Sequence, residues 1–576
     1  MTERGDPMKK RNKRRLAMMM ALAMMAGMTA CGSAQTASTT AETTAAADTT
    51  ATVETTAAAD TTATVEATAA AEMTEAAETE AAETEAAAQV SSGIVTPGPA
   101  KEDITVSDAV ENTADGEHAI TADGETMEYS QTKVVKTGDS EGDEADFYGE
   151  NAAIFATNGG TLTLSDLVVE TNGTHANGVF SYGEGTTVNI SDSVIETTGN
   201  CSGGLMTTGG GTMNAENLTI HSTGNSSAAI RSDRGGGTVT VTGGTYTTDG
   251  TGSPVIYSTA DITVSNAEMT STASQGVVVE GKNSVTLNNV ALTADNNTKN
   301  SDKSDTYQAV MIYQSMSGDA AEGKAAFAMN GGTLTNVNGD IFFVNNTVAD
   351  INLTGAQIIN QDEEGVFLRA EAAGWGNEGS NGGQVTLTAS AQTIDGDMIV
   401  DEVSNLNLYL TDSSVFTGAI NTDGAAGEVY VELDADSTWT LTGDSYISGL
   451  TCDADAIDLN GYTLTVGGET YTEGTESTGE AIEITVTSGG EGQMGMPPEG
   501  APGGGNGREN DSNGIVSGEK PSGNPPEGAP SGGKPSGNPP AGNGGTPPEK
   551  PSGDKGGTPP AKPGENTETT ETTAAA

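Results

Sequence analysis

The residues able to do chemistry are few, and they do not gather. The densest set is the acidic run Asp139-Ser140-Glu141-Gly142-Asp143-Glu144-Ala145-Asp146. Alternate carboxylates on a glycine-containing loop supply hard oxygens, so Asp139, Glu141, Asp143 and Asp146 are the expected ligands of a calcium ion. The run lacks the spacing of a helix-flanked calcium loop, and a solvated acidic loop is the competing reading. The histidines His118, His175 and His221 lie far apart, the last two among Thr, Gly and Asn, which reads as surface turns. Cys201 and Cys452 are expected to be buried or idle thiols. Arg231-Ser232-Asp233-Arg234 is the one basic cluster of the central region, and Arg369 its only other arginine. No grouping suits acid–base or nucleophilic catalysis, and no enzyme is expected.

Charge excludes a further class. The 576 residues carry 23 Lys/Arg against 81 Asp/Glu, a net charge of −58. Binding to nucleic acid needs a basic surface and is not expected. Three cysteines cannot form a disulfide framework, so the fold must rest on a hydrophobic core.

The ends have a different composition from the middle. KKRNKRR (9–15) precedes the apolar run Leu16–Ala30, which has the form of a secretory signal and is too short to span a membrane comfortably. The run closes on Met28-Thr29-Ala30-Cys31, which resembles a bacterial lipobox. That resemblance implies cleavage before Cys31 and a lipid on its sulfur. Removal of residues 1–30 leaves 16 basic and 79 acidic residues, a charge near −63 that repels anionic headgroups. Residues 31–95, rich in Thr, Ala and Glu, repeat Asp48-Thr-Thr-Ala-Thr-Val-Glu54 at Asp60 and read as a disordered tether. Residues 489–576, with Lys-Pro-Ser-Gly at Lys520, Lys534 and Lys550, read as an extended Pro/Gly tail. The only membrane contact expected is through the N-terminal lipid.

The middle repeats. One short strand recurs as Leu162-Thr-Leu, Val188-Asn-Ile, Met213-Asn-Ala, Val239-Thr-Val, Ile262-Thr-Val, Val285-Thr-Leu, Phe327-Ala-Met, Ile351-Asn-Leu, Val385-Thr-Leu, Leu406-Asn-Leu and Val429-Tyr-Val. The first six lie 26, 25, 26, 23 and 23 residues apart, and turn pairs such as Ser165-Asp166 and Ser265-Asn266 follow them. A second strand lies between, as in AAIFAT (152), NGVFSY (177), AAIRSD (228), QAVMIY (308) and GDIFFV (339). Short alternating strands at this period, without helical periodicity, predict an all-β parallel β-helix, or solenoid, over 151–488. Only Pro254 interrupts residues 100–496, as continuous ladders of backbone N–H groups require. Residues 96–150 are expected to cap the N-terminal end, and 430–487 to finish the stack.

Aligning the second strand type gives a candidate binding face. Ile154, Val179, Leu205, Ile230, Val255, Val277, Val310, Ile341 and Val366 form the expected inward column. Because side chains alternate, the next column should point outward: Phe155, Phe180, Met206, Arg231, Ile256, Val278, Met311, Phe342 and Phe367. Tyr182, Tyr313 and Arg369 lie two residues further on the same face. An outward ladder of aromatics and arginine on so acidic a chain marks Phe155, Phe180, Tyr182, Arg231, Tyr313, Phe342, Phe367 and Arg369 as candidate ligand-binding residues. The competing reading places the column under a covering segment, such as 295–326, or in the core.

The units GTLTLSDLVVETNGTHANGVFSYGEGTTVNISDSVIETTG (160–199) and STWTLTGDSYISGLT (437–451) resemble right-handed β-helices of the pectin-lyase-like class, and especially the passenger regions of pertactin-type autotransporter adhesins. The resemblance covers roughly 150–455. It implies a right-handed parallel β-helix and a monomeric, surface-exposed adhesin that binds a glycan or protein ligand. The chain departs from it by ending in Pro/Gly repeats where an autotransporter has a membrane β-barrel. A second resemblance, to lipid-anchored clostridial β-helix proteins, implies binding of pectin-like or cellulosic polymers with calcium. Of the polygalacturonase motifs, only Asn-Thr-Asp is present, at Asn421-Thr422-Asp423.

Overall fold

The computed structural model describes residues 95–424 and 426–485. Three parallel sheets run along a common axis. Sheet 1 has 13 strands, from Thr126–Ser130 to Gly449–Thr451; sheet 2 has 11, from Ile120–Asp123 to Met398–Val400; sheet 3 has 10, from Asp108–Asn112 to Gln357–Asn360. Each coil visits them in the order 3, 2, 1, as in Val168–Thr171, Val179–Tyr182 and Thr187–Ser191. The chain is a parallel β-helix.

The corner between sheets 1 and 3 shows why the repeat folds this way. It is made by one residue per coil in left-handed conformation, among them Asp166 (φ 54°), Asp192 (φ 47°), Asn217 (φ 53°), Gly243 (φ 67°), Asn266 (φ 57°) and Asn289 (φ 52°). Asn, Asp and Gly tolerate that region best, and they are the turn residues the sequence repeats. Their amides also stack: Asn217 Nδ2 donates to Asp192 Oδ1 at 2.6 Å and Asn289 Nδ2 to Asn266 Oδ1 at 2.9 Å.

Inside, aliphatic columns form one continuous core. In sheet 1, Leu162, Val188, Met213, Val239, Ile262, Val285, Phe327 and Ile351 stack in the expected register. Ile351 then lies beside Leu387 rather than Val385, an offset of two residues that keeps the same face inward. Each fully buried aliphatic side chain is worth roughly 1.5–3 kcal/mol of transfer free energy. A one-coil cavity would therefore cost a sizeable part of a normal stability margin.

The segment expected as an irregular cap is instead solenoid. Its strands Asp108–Asn112, Ile120–Asp123 and Thr126–Ser130 extend all three sheets. Ahead of them, residues 95–101 run as a strap along the outside of the sheet 1–sheet 3 corner. Thr96 donates to Asn266 O and accepts from Gly244 N, and Pro99 O accepts from Thr219 Oγ1. Lys101 reaches Glu170 and Glu196. Gly98 lies so close to the corner that an added Cβ would fall 2.2 Å from Leu218 O.

The far end of the stack lies among the described residues after 430. A four-stranded parallel sheet that begins at Thr393–Asp395 and carries Phe416 stacked on Trp439 at 5.4 Å takes over the position of sheet 3, and a three-stranded sheet that begins at Ser445–Ile447 takes over that of sheet 2. The antiparallel pair Leu464–Val466 and Glu469–Thr470 ends the stack through Gly467-Gly468, both at positive φ.

Candidate functional site

The outer side of sheet 2 is built up where the other two sheets are not. The long connections 137–153, 295–307, 314–323 and 371–382 all enter or leave this sheet, whereas ordinary ones, such as 198–204, have seven residues. They fold back over the outward column and cover it.

Part of that column follows the sequence reading. Phe155, Phe180, Met206, Arg231, Val278, Met311 and Tyr313 point away from the central core, and all are buried. The segment 142–152 roofs the first three, with Thr208 Oγ1 donating to Phe147 O and Tyr148 packed edge-on to Tyr182 at 5.7 Å. His118 stacks on Phe155 at 4.4 Å. Trp375, from 371–382, closes over Met311, Tyr313 and Phe343. The exposed aromatic ladder is therefore corrected to a covered one, because the excursions supply a second apolar layer.

Three residues of the expected outward column face the core instead. Ile256, not Val255, stacks on Ile230, because 249–255 keeps the seven-residue length and Pro254 falls within it. Phe342, not Ile341, stacks on Val310, and Phe367 packs inside against Phe342 at 5.5 Å. Asp340–Asn345 is buried on both faces, so its composition carries no sign of which side is in. Tyr257 and Phe343 take the outward places. Arg369 is outward too, held by Asp340 at 2.6 Å.

Between the two apolar roofs lies a polar interior. Arg231 pairs with Asp233 at 2.8 Å, both buried. Glu280 sits two coils along in the column of Asp233, with Thr259 between them. Glu280 Oε2 accepts from the hydroxyls of Tyr257 and, at 3.0 Å, Tyr313. Its Oε1 is buried without a hydrogen-bond partner. Burial, with the charge of Asp233 adding to it, pushes the Glu280 carboxyl up to about 7. Burial pushes Asp233 up to about 6 against the pull of Arg231.

Arg234 clasps the roof shut. Its Nε donates to Asp319 at 2.6 Å, its Nη1 to Asp143 at 3.0 Å, and its guanidinium lies 3.5 Å from the centre of the Phe147 ring. Asp143 belongs to the one-turn helix α1 (Asp143–Phe147) and Asp319 to the 314–323 excursion. One side chain thus joins two elements that start on different coils.

The four expected calcium ligands do not form one cluster. Asp139 accepts from Thr174 N, Asp143 pairs with Arg234, and Asp146 is buried against His175; Glu141 is exposed. Among the described residues, the ligand atoms of Asp146, His175 and Cys201 do lie within 4.8 Å of one another. His175 Nε2 meets Asp146 at 2.9 Å and Nδ1 meets Ser140 O at 2.6 Å. Both partners only accept, so the ring donates from both nitrogens and keeps no lone pair for a metal. Burial alone would lower its pKa, but Asp146 and then Ser140 outweigh it and hold it above the ordinary value. His175 is thus buried and paired with Asp146, not a surface turn residue; His221, paired with Asp249 at 2.7 Å, does lie at the surface.

Sequence reading named Arg231 but passed over Glu280, Tyr257, Arg234 and Asp319 as partners. A signal is present, since Asp233 and Glu280 are the two carboxylates in a column that otherwise reads Thr157, Tyr182, Thr208, Ser258, Tyr313, Val344 and Arg369. Asn421-Thr422-Asp423 is a turn, with Asn421 at φ 52° and its Oδ1 accepting from Val400 N. Cys452 is a buried free thiol beside Tyr471. Cys31 lies outside the described residues.

Comparison with known protein families finds no match. Comparison with curated proteins finds none either. No helix among the described residues is long and apolar enough to cross a membrane.

Proposed function

We propose that the protein is a lipid-anchored, surface-displayed adhesin whose β-helix presents the built-up side of sheet 2 to a ligand on a host or neighbouring cell. The observation that supports this most is the placement of the long connections 137–153, 295–307, 314–323 and 371–382 on that one sheet. Ligand contacts concentrate in loops held by a rigid scaffold, and a uniform rod with one elaborated side is such a scaffold. The ligand-contacting surface is the outside of the excursions, not the aromatic column beneath them. Met316, 61% exposed on the 314–323 excursion, is the largest apolar exposure there. The mature chain immobilised on beads should retain cells and leave polysaccharide arrays blank. Retention of pectin or cellulose without cells would overturn the reading.

The Asp233–Glu280 pair favours a second reading, a module directed at a pectin-like or cellulosic glycan, with acid–base chemistry as its extreme form. A carboxyl that titrates near neutrality can hold or give up a proton at working pH. Unsaturated uronides or new reducing ends released from pectin, and lost in Glu280→Gln, would replace the adhesin reading with this one.

A further inference from the structure

Lys136 closes the second strand of sheet 3 on the inward side, in line with Val134, and has no exposed surface. Its ammonium donates to Ala114 O at 2.7 Å, a neutral carbonyl rather than a carboxylate. Burial lowers its pKa against the opposing charges of Asp115, Asp139 and Glu117. The amine is thereby moved toward its neutral, nucleophilic form. Across the ladder Lys136 is paired in register with Asn112 of the first coil. Paired positions on adjacent parallel strands share a face, so the two side chains are neighbours.

Asn112 is held in a way that suits attack on its amide. Its Oδ1 accepts from Ala114 N at 2.8 Å, and its Nδ2 donates to His118 O at 2.9 Å and to Glu117 Oε2 at 3.3 Å. A backbone N–H only donates and a carbonyl only accepts, so the amide has one orientation. Ala114 thus meets both partners, its N–H on Asn112 and its carbonyl on Lys136. A Cβ added at Gly138 would fall 2.5 Å from Lys136 Nζ and 2.0 Å from Ala114 O, so packing presses the amine onto the 112–118 loop.

We infer that Lys136 and Asn112 are joined by an intramolecular isopeptide bond that the folded chain forms by itself. Nζ swings from Ala114 O onto Cγ of Asn112, and the Ala114 N–H stabilises the charge that develops on Oδ1. Glu117 takes a proton from Nζ and passes it to Nδ2. The Nζ–Cγ bond forms, the Cγ–Nδ2 bond breaks, and Nδ2 leaves as ammonia. The exchange is redox-neutral and calls for no co-reactant. Glu117 is exposed, so the ammonia has a direct way out. The bond falls at the end of the stack. Asp108–Asn112 is the first strand of sheet 3 and is paired on one side only. End strands open most easily, and a covalent tie to Thr132–Lys136 fastens the first coil to the second. The tie does not depend on what the β-helix binds.

The test is digestion of the mature chain after glutamate, followed by mass spectrometry. Cleavage releases Asn112–Glu117 and Tyr129–Glu141 as separate peptides unless the two are joined. The expected product is one species, lighter than their sum by one ammonia, with fragmentation placing the link on Asn112 and Lys136. Two separate peptides would overturn the assignment, and so would a joined pair lighter by one water, which would put the link on a carboxylate. A joined pair found only in a chain that runs as a covalent dimer would overturn it too. Lys136→Met should remove the product. Glu117→Gln changes an exposed side chain and should lower the yield by about tenfold or more, with the first peptide then running to Glu125. Full yield from that variant would overturn the proton-transfer role and the mechanism with it.

Discussion

At Glu280 the cost of burying a charge can be followed through pH. Its carboxyl and that of Asp233 titrate higher in the folded protein, at about 7 and about 6, than in an unfolded chain. The folded state therefore holds their protons more tightly, and that stability is complete below about pH 4 and is lost as pH rises through 6 and 7. His175, also raised, acts in the same direction from its ordinary value upward. The melting temperature should fall between pH 4 and 8, and Glu280→Gln should flatten the fall by an amount equivalent to roughly 3 kcal/mol at 1.4 kcal/mol per unit. A rise in melting temperature over that range would contradict the assignment. Arg234 offers a second check at this scale. Arg234→Ala should destabilise by about 2–3 kcal/mol, and Arg234→Lys should recover little, since an ammonium cannot serve Asp319, Asp143 and the Phe147 face together. Equal stability of the Lys variant and the wild type in calorimetry would show that the clasp needs only charge.

Among the strands, the difference between what could and could not be read from sequence has a physical cause. Sheet 1 alternates apolar and polar residues, as in Thr161–Ser165, so its inward face is legible across the whole stack and its register as far as Ile351. Its corner was legible too, because left-handed positions select Asn, Asp and Gly. Sheet 2 is buried on both faces under the excursions, so alternation is lost and single-residue slips at Pro254 and Ile341 pass unnoticed. The polar cluster could not be assembled in advance because its members come from separate coils, and Arg234 joins excursions 85 and 91 residues away. Arg231 could be picked out as an odd residue, but not its neighbours. The corrected register makes its own prediction. Phe342→Ala should cost about 3–5 kcal/mol, as a core phenylalanine does. Phe180→Asp should likewise lower the melting temperature, because it puts a charge under the 142–152 roof. A neutral effect of either substitution on thermal unfolding would return that residue to the surface.

Over the described residues the β-helix has a polar corner on one side and a decorated sheet on the other. If Cys31 carries the only anchor, Cys31→Ser should move the protein from the membrane fraction to the medium without changing its melting temperature; retention in the membrane fraction would refute the lipid assignment. The display reading turns on the outside of the excursions. Met316→Asp combined with Lys299→Glu alters exposed atoms of two of them and leaves the Arg234 clasp and both apolar roofs in place. The direct measurement is cell retention by this variant beside the wild type, with melting temperatures recorded on the same preparations. The account predicts at least a tenfold loss of retention at an unchanged melting temperature. Full retention by the variant would contradict it.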